Sequence, residues 1–434
     1  MIAVAVTAGV LMVIAIIVGA TGPRVYDSQS YSAYNCQNGS HVWSPPPACI
    51  GFQPSQPGAI WIQEIDGITQ LTRFWAVQLT PYSNNLVNNT IYNLQLSVQI
   101  YGGESSLLTN TTTTMLIECP AGNGACTTFT LIDQQVLENE FYIVQVSLLN
   151  PNDNIIGDIV YSVWRAHEKF SSFEIAIHLT YMVLSSGLVI FYLYAMRTLS
   201  LSLWTFEQKF LFILLIALVL SNNPFFGFQY IVSGWFFPFL NSVFSIVFLC
   251  VFSLYSMTIL DKMRLEYTQP GMGPGYILKL AVIGTFGALG IALFTWINLR
   301  DRKDPVLGPA LAVNGIQVLF YFVSTIFIAI LLWISMLVVI TAPIVSGKRY
   351  LIPKFVFTSA PISIYVFSVI IGIFAGTFGP LNPTALSVMY FNTLNNVFTA
   401  LIAYSYWPKI TGNQQQAVTG NEEEQRLFGD DSQL

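Results

Sequence analysis

The sequence predicts a membrane α-helical bundle, one N-terminal helix plus seven more, joined to an extracytoplasmic antiparallel β-sandwich domain. Three observations predict it. Only 9% of the 434 residues are charged and the mean hydropathy is +0.60, against about 25% charged residues in ordinary soluble domains. The deficit is uneven: residues 23–173 are rich in Thr, Asn, Gln and Pro, whereas 174–408 are mostly Leu, Ile, Phe and Val. Finally, the polar block alone holds Cys36, Cys49, Cys119 and Cys126 together with three glycosylation sequons, at Asn38, Asn88 and Asn110. Disulfide-ready cysteines and sequons confined to one block place it on the luminal or extracellular side.

Residues 1–20 carry no charge, and a bilayer crossing needs about 20 apolar residues. Residues 1–22 therefore read as a signal anchor or a signal peptide. Val18-Gly19-Ala20 offers a small-residue cleavage site, but a basic n-region is missing, which favours the uncleaved anchor.

Seven apolar runs follow, at 175–196, 206–226, 235–260, 277–299, 315–340, 355–374 and 388–407. Their connections alternate in basic charge. Arg197, Lys209, Lys262, Arg264, Lys348, Arg349, Lys354, Lys409 and Arg426 fall on one side, and Arg300, Arg302 and Lys303 on the other. Positive residues concentrate on the cytosolic face, so the polar block lies opposite the cytosol and the C-terminus inside it. The expected setting is a multi-pass protein of the Golgi, endosome or plasma membrane.

Within 23–173, period-2 alternation marks strands. Leu94, Leu96, Val98 and Ile100 share one face, as do Val144, Val146 and Leu148, and Trp75, Val77 and Leu79. Shorter candidates at 60–65, 115–119, 127–132 and 155–164 bring the count to around seven, enough for a small sandwich. Trp61, Phe74 and Trp75 read as its core aromatics, and Pro45-Pro46-Pro47 as a rigid surface arm. Separations of 13 and 7 suggest local pairs, Cys36–Cys49 and Cys119–Cys126, although four cysteines allow three connectivities.

Catalysis is the poorest reading. The three histidines, His41, His167 and His178, are placed so that no two share a helix face as metal or haem ligands. No Gly-x-Ser-x-Gly elbow and no paired intramembrane aspartate of the Gly-x-Gly-Asp type is present. No enzyme activity, metal or cofactor is expected. The small net charge of −5 without a basic run argues against nucleic acid.

What remains is a set of polar groups near helix ends. Glu174 and His178 are four residues apart and share a face, either as an interfacial pair or as the lining of a ligand entrance. Asn222-Asn223-Pro224 closes the outer end of the 206–226 run, where proline frees a backbone carbonyl that the asparagines can satisfy. Asn392, Asn395 and Asn396 form a stripe that faces either another helix or a cavity. Gly284, Gly287 and Gly290, and the Gly372-x-x-x-Gly376 pattern, allow close helix contact. In the polar tail 409–434, read as a disordered acidic cytosolic segment, Glu423, Leu427 and Phe428 outline an acidic dileucine-like sorting signal.

Glu207-Gln208-Lys209 at one end of a helix, Asn223-Pro224-Phe225-Phe226 at its far end, and the closing stretch from Phe391-Asn392-Thr393-Leu394-Asn395-Asn396 to Ala403-Tyr404-Ser405-Tyr406-Trp407-Pro408 together resemble the Wntless-like membrane family, in particular the branch containing transmembrane protein 181. The resemblance covers roughly 170–410. It implies a luminal sandwich of the Golgi-dynamics (GOLD-like) type on a seven-helix bundle. Apart from the resemblance, the topology, the polar groups near the outer leaflet and the tail signal favour a trafficking or cargo receptor of the secretory pathway, expected to hold a membrane lipid or a lipid-modified secreted protein at Glu174, His178, Asn223, Asn392, Asn395 and Asn396. Coat adaptors would be engaged through the tail. A seven-helix signalling receptor is the alternative, although an Asp-Arg-Tyr signature is absent and Asn382-Pro383 falls in an outer loop. A channel or transporter is the third, with neither an internal repeat nor a ring of intramembrane charge to support it.

Overall fold

The computed structural model describes residues 2–32, 60–83, 88–103, 106–121, 125–134, 137, 139–150, 156–197, 199–232, 234–265, 275–303, 306, 314–347, 352–374 and 384–407. An N-terminal helix, α1 (Ile2–Ala20), precedes eight strands: β1 (Tyr26–Ser32), β2 (Ile60–Ile65), β3 (Trp75–Ser83), β4 (Thr90–Gly102), β5 (Ser106–Cys119), β6 (Phe129–Gln134), β7 (Tyr142–Leu148) and β8 (Ile156–Ala166). Seven helices follow: α2 (Glu168–Met196), α3 (Phe206–Ser221), α4 (Phe236–Leu265), α5 (Gly275–Lys303), α6 (Asn314–Ser346), α7 (Ile352–Phe374) and α8 (Ala385–Ser405).

The strands form two antiparallel four-stranded sheets, in the orders β1-β8-β3-β6 and β2-β7-β4-β5. Alternation places the apolar residues as expected: Leu94, Leu96, Val98, Ile100, Trp75, Val77, Leu79, Val144 and Val146 are all fully buried. Trp61 stacks on Tyr161 across the two sheets, centroids 4.1 Å apart. Cys119 and Cys126 are disulfide-bonded, which joins the end of β5 to the approach to β6. Cys36, Cys49, Asn38 and the triple proline lie outside the described residues.

Two strands depart from expectation. β1 has no apolar alternation (Tyr-Asp-Ser-Gln-Ser-Tyr-Ser) and exists through its register with β8, Tyr26 opposite Ala166 and Ser32 opposite Val160. β5 begins at Ser106 instead of 115, because its threonine run pairs residue by residue with β4. Strand pairing, rather than local hydrophobic pattern, makes both.

Six helices, α2 to α7, are long and apolar enough to cross a membrane; within α3's span the apolar stretch runs on through a 3-10 turn, Phe226–Tyr230. The expected seventh run forms the 21-residue α8, which is not among those six; Asn392, Asn395 and Asn396 interrupt its apolar stretch. Helix starts follow the sequence. Thr205 and Gln208 form a reciprocal capping box at α3, and Thr384 and Ser387 do so at α8. The helix α2 begins at Glu168, six residues before the expected domain boundary, because His167 Nδ1 accepts the Lys169 amide and caps it. Of the glycine triplet in α5, Gly287 and Gly290 face Cys250 and Ile246 of α4, whereas nothing lies within 4 Å of a β-carbon placed on Gly284. Gly376 lies outside the described residues.

The first helix packs along the last. At Gly19 a β-carbon would sit 2.7 Å from Leu386 Cα, closer than real side chains tolerate. Gly19→Leu therefore forces α1 off α8. The expected result is a loss of about 1–3 kcal/mol, read as a lower thermal transition in mild detergent. An unchanged transition would show that α1 does not depend on this contact.

Candidate functional site: a polar layer beneath the β domain

The strand β8 runs through His167 directly into α2, so the sandwich stands on one end of the bundle. Three further contacts tie the two together. Thr69 Oγ1 donates to Glu168 Oε1 at 2.8 Å. Val306, in the connection between α5 and α6, is fully buried in the sandwich core. Arg73 reaches down from the approach to β3 and donates to both Glu174 oxygens, at 3.1 and 3.3 Å.

Glu174 lies one and a half turns into α2, with its side chain only 7% exposed. An isolated carboxylate in such a place is costly. Arg73 supplies the opposite charge, and Tyr230, from the 3-10 turn after α3, donates its hydroxyl to Oε2 at 3.1 Å. Three separate segments thus meet on one carboxylate. His178, one turn deeper on the same face, is buried. Its ring stacks on Phe226 at 3.8 Å, nearly parallel, and its Nδ1 lies 3.2 Å from the Asn222 carbonyl oxygen.

Below it lies an amide-centred network. Asn222 Nδ2 donates to Asn396 Oδ1 at 2.9 Å, to Ser185 Oγ at 2.9 Å and to the Tyr181 carbonyl at 3.1 Å. Asn396 Nδ2 returns a bond to Asn222 Oδ1 at 3.0 Å and also reaches the Asn392 carbonyl at 2.8 Å. Tyr181 and Thr393 hydroxyls lie 2.5 Å apart. Helices α2, α3 and α8 are joined through these side chains, where apolar packing alone gives little preference for protein over lipid.

The expected site residues divide accordingly. Glu174, His178 and Asn396 converge in this layer, each already engaged by the protein. Asn392 adds its carbonyl, while its side chain donates back to Val388 O at 2.8 Å. Asn223 turns away. It adopts φ +49°, accepts the Phe225 amide at 3.0 Å and donates to Asn241 Oδ1 of α4 at 3.0 Å. The Leu220 carbonyl, deprived of a donor by Pro224, receives the Asn223 main-chain N–H at 2.9 Å; a backbone group does what the asparagine side chains were expected to do. Asn395 stays outside the network, its buried Oδ1 having no partner among the described residues.

Sequence reasoning missed two participants, Asn222 and Arg73, and one buried cation outside the layer, Lys279. Asn222 was read only as part of a helix end, yet it is the hub. Arg73 had no local signal, being one cation in a loop between strands. Lys279 sits inside an expected apolar run, and is buried at the opposite end of the bundle against Asp261, with the Met257 carbonyl 3.4 Å away. Its spacing at the start of α5, opposite Asp261 near the end of α4, was the available signal. Beside it, Lys262 bonds Glu207 of α3 at 2.7 Å.

Arg73→Met should cost about 2 kcal/mol, less than the roughly 3–5 kcal/mol of a fully buried pair, because a third of the Arg73 side chain stays solvated. Arg73→Met/Glu174→Met should regain part of it in a double-mutant cycle on chemical unfolding. A coupling of zero would mean the pair does not join the domains.

Comparison with known proteins agrees with this architecture. Transmembrane protein 181 of Homo sapiens is 25% identical over 175 residues, which is 39% of this chain and 37% of that protein. The chain thus matches well under half of that relative's length. The Wntless-like transmembrane domain matches residues 167–410, from the cap of α2 to just beyond α8, over half of the chain and including α2, α3 and α8 of the polar layer. This protein is a multi-pass member of the Wntless-like transmembrane family.

Proposed function

We propose that the protein is a trafficking receptor of the secretory pathway, binding a membrane lipid or a lipid-modified secreted protein at the polar layer. The observation that carries this reading is the shared carboxylate. Glu174 belongs to the bundle, but its cation belongs to the β domain, so a ligand on either part acts on the same ion pair. The helix α2 presents Leu179, Val183 and Leu184 outward, while Tyr181 and Ser185 face the network. An acyl chain along α2 would therefore lie beside a polar layer able to take its headgroup or ester. Because Glu174, His178 and Asn396 are engaged internally, the ligand binds by displacing Tyr230 or Arg73. No catalytic step, metal or cofactor enters this reading.

In this proposal the β domain is luminal or extracellular and the C-terminus cytosolic. The nine-to-three distribution of basic residues supports it, as do the exposed positions of Asn88 and Asn110, two of the three sequon asparagines, on the β domain. The tail, with Glu423, Leu427 and Phe428, would then meet coat adaptors. A signalling receptor is the second reading, favoured by one observation. Ion pairs Glu207–Lys262 and Asp261–Lys279 join α3, α4 and α5 at the far end, where a signalling receptor must open.

Native mass spectrometry of the full chain in mild detergent should find a retained lipid, lost in Glu174→Met. A clean apo mass would remove the carrier reading and favour the signalling one. Separately, Leu427→Ala/Phe428→Ala should raise the cell-surface fraction; an unchanged distribution would eliminate the sorting signal.

A further inference from the structure

We propose that the β domain holds a second site, a cleft between its two sheets that takes the guanidinium or ammonium head of a basic side chain on a protein partner. This inference does not depend on what the bundle binds. Strands β1 and β2 are edge strands of different sheets, and residues of both line a cleft of about 60 Å³ together with residues of β8. That is several times the roughly 10–15 Å³ a single water requires.

The lining is acidic. Asp27, Glu64 and Asp66 border it with one cation, Arg165, so its lining residues carry three carboxylates against one guanidinium, with Glu64 at the exposed rim. Arg165 is partly committed, its Nη1 donating to the Asp66 carbonyl at 3.4 Å. His167 Nε2 approaches Asp27 from outside at 3.8 Å.

Gln63 supplies the second, independent observation. Alternation along β2 turns it inward between Trp61 and Ile65, and it is only 6% exposed. Its Nε2 donates to the Glu64 carbonyl at 2.7 Å, but its Oε1 has no hydrogen-bond partner among the described residues. A buried acceptor left unpaired is costly, and this one belongs to a residue that lines an acidic cleft. The missing complement is a group that brings both N–H donors and positive charge. A metal ion fits less well, since no three His, Cys, Asp or Glu side chains among the described residues converge as ligands. A guanidinium or ammonium can bond a carboxylate and a carbonyl oxygen together. A protein is favoured over a free amine because both bordering strands are sheet edges, which guide an extended segment.

The test uses the full-length protein in detergent at low ionic strength and a fluorescein-labelled pentapeptide, Gly-Gly-Arg-Gly-Gly, against its Gly-Gly-Gln-Gly-Gly counterpart. Fluorescence anisotropy should show the arginine peptide binding about fivefold more tightly, the scale of one partly solvated charge pair. The preference should shrink with added salt and vanish in Asp27→Asn/Asp66→Asn. Should that variant lose its thermal transition, Glu64→Gln, at an exposed position, must weaken the preference instead. Equal binding of the two peptides, or a preference unchanged by these substitutions, overturns the proposal. So does displacement of the arginine peptide by calcium but not by arginine amide, which would assign the cleft to a metal ion.

Discussion

A carboxylate at the top of a membrane helix needs a partner, and here the partner comes from another domain. The Arg73–Glu174 pair holds the sandwich on the bundle beside the two chain connections, from α1 into β1 and from β8 through His167 into α2. Tyr230 on the same carboxylate then fixes the 3-10 turn. Phe226 in that turn stacks on His178, and His178 lies against the main chain of Asn222. A single charge thus propagates into the placement of α3 and, through Asn222 and Asn396, of α8.

Lipid explains why this chain of contacts is polar. In water, apolar faces drive helices together; in a bilayer the surroundings are as apolar as leucine, and small residues and hydrogen bonds decide which helices meet. Both devices occur here, at different places. The layer around Asn222 joins α2, α3 and α8 by hydrogen bonds, whereas α5 approaches α4 through Gly287 and Gly290. The distal end uses charge instead, with Lys279 buried against Asp261.

Much of this was legible in the sequence where the solvent writes the pattern. Alternation disclosed β3, β4 and β7 with their inward faces, and continuous apolar runs disclosed the helices of the bundle. Legibility failed where a partner distant in sequence makes the structure. β1 is a strand because β8 lies beside it, and the threonine run of β5 because β4 does. The candidate site divides in the same way. Glu174, His178 and Asn396 stood out because polar groups in apolar surroundings are rare. Arg73 did not, because cations in loops are common and only the fold brings this one over α2. Asn223 looked equivalent to Asn222, yet a left-handed backbone at the second residue sends the two side chains to different helices.

The close contact between Gly19 and Leu386 joins two helices far apart in the chain. During synthesis α1 is made long before its docking surface on α8 exists, and Asn222 likewise waits for Asn396. Until α8 arrives, a buried-to-be amide and a bare glycine face lack their partners. A product that stalls before α8 is therefore marked by the surfaces it leaves open, and membrane quality control can tell it from one in which α8 has docked.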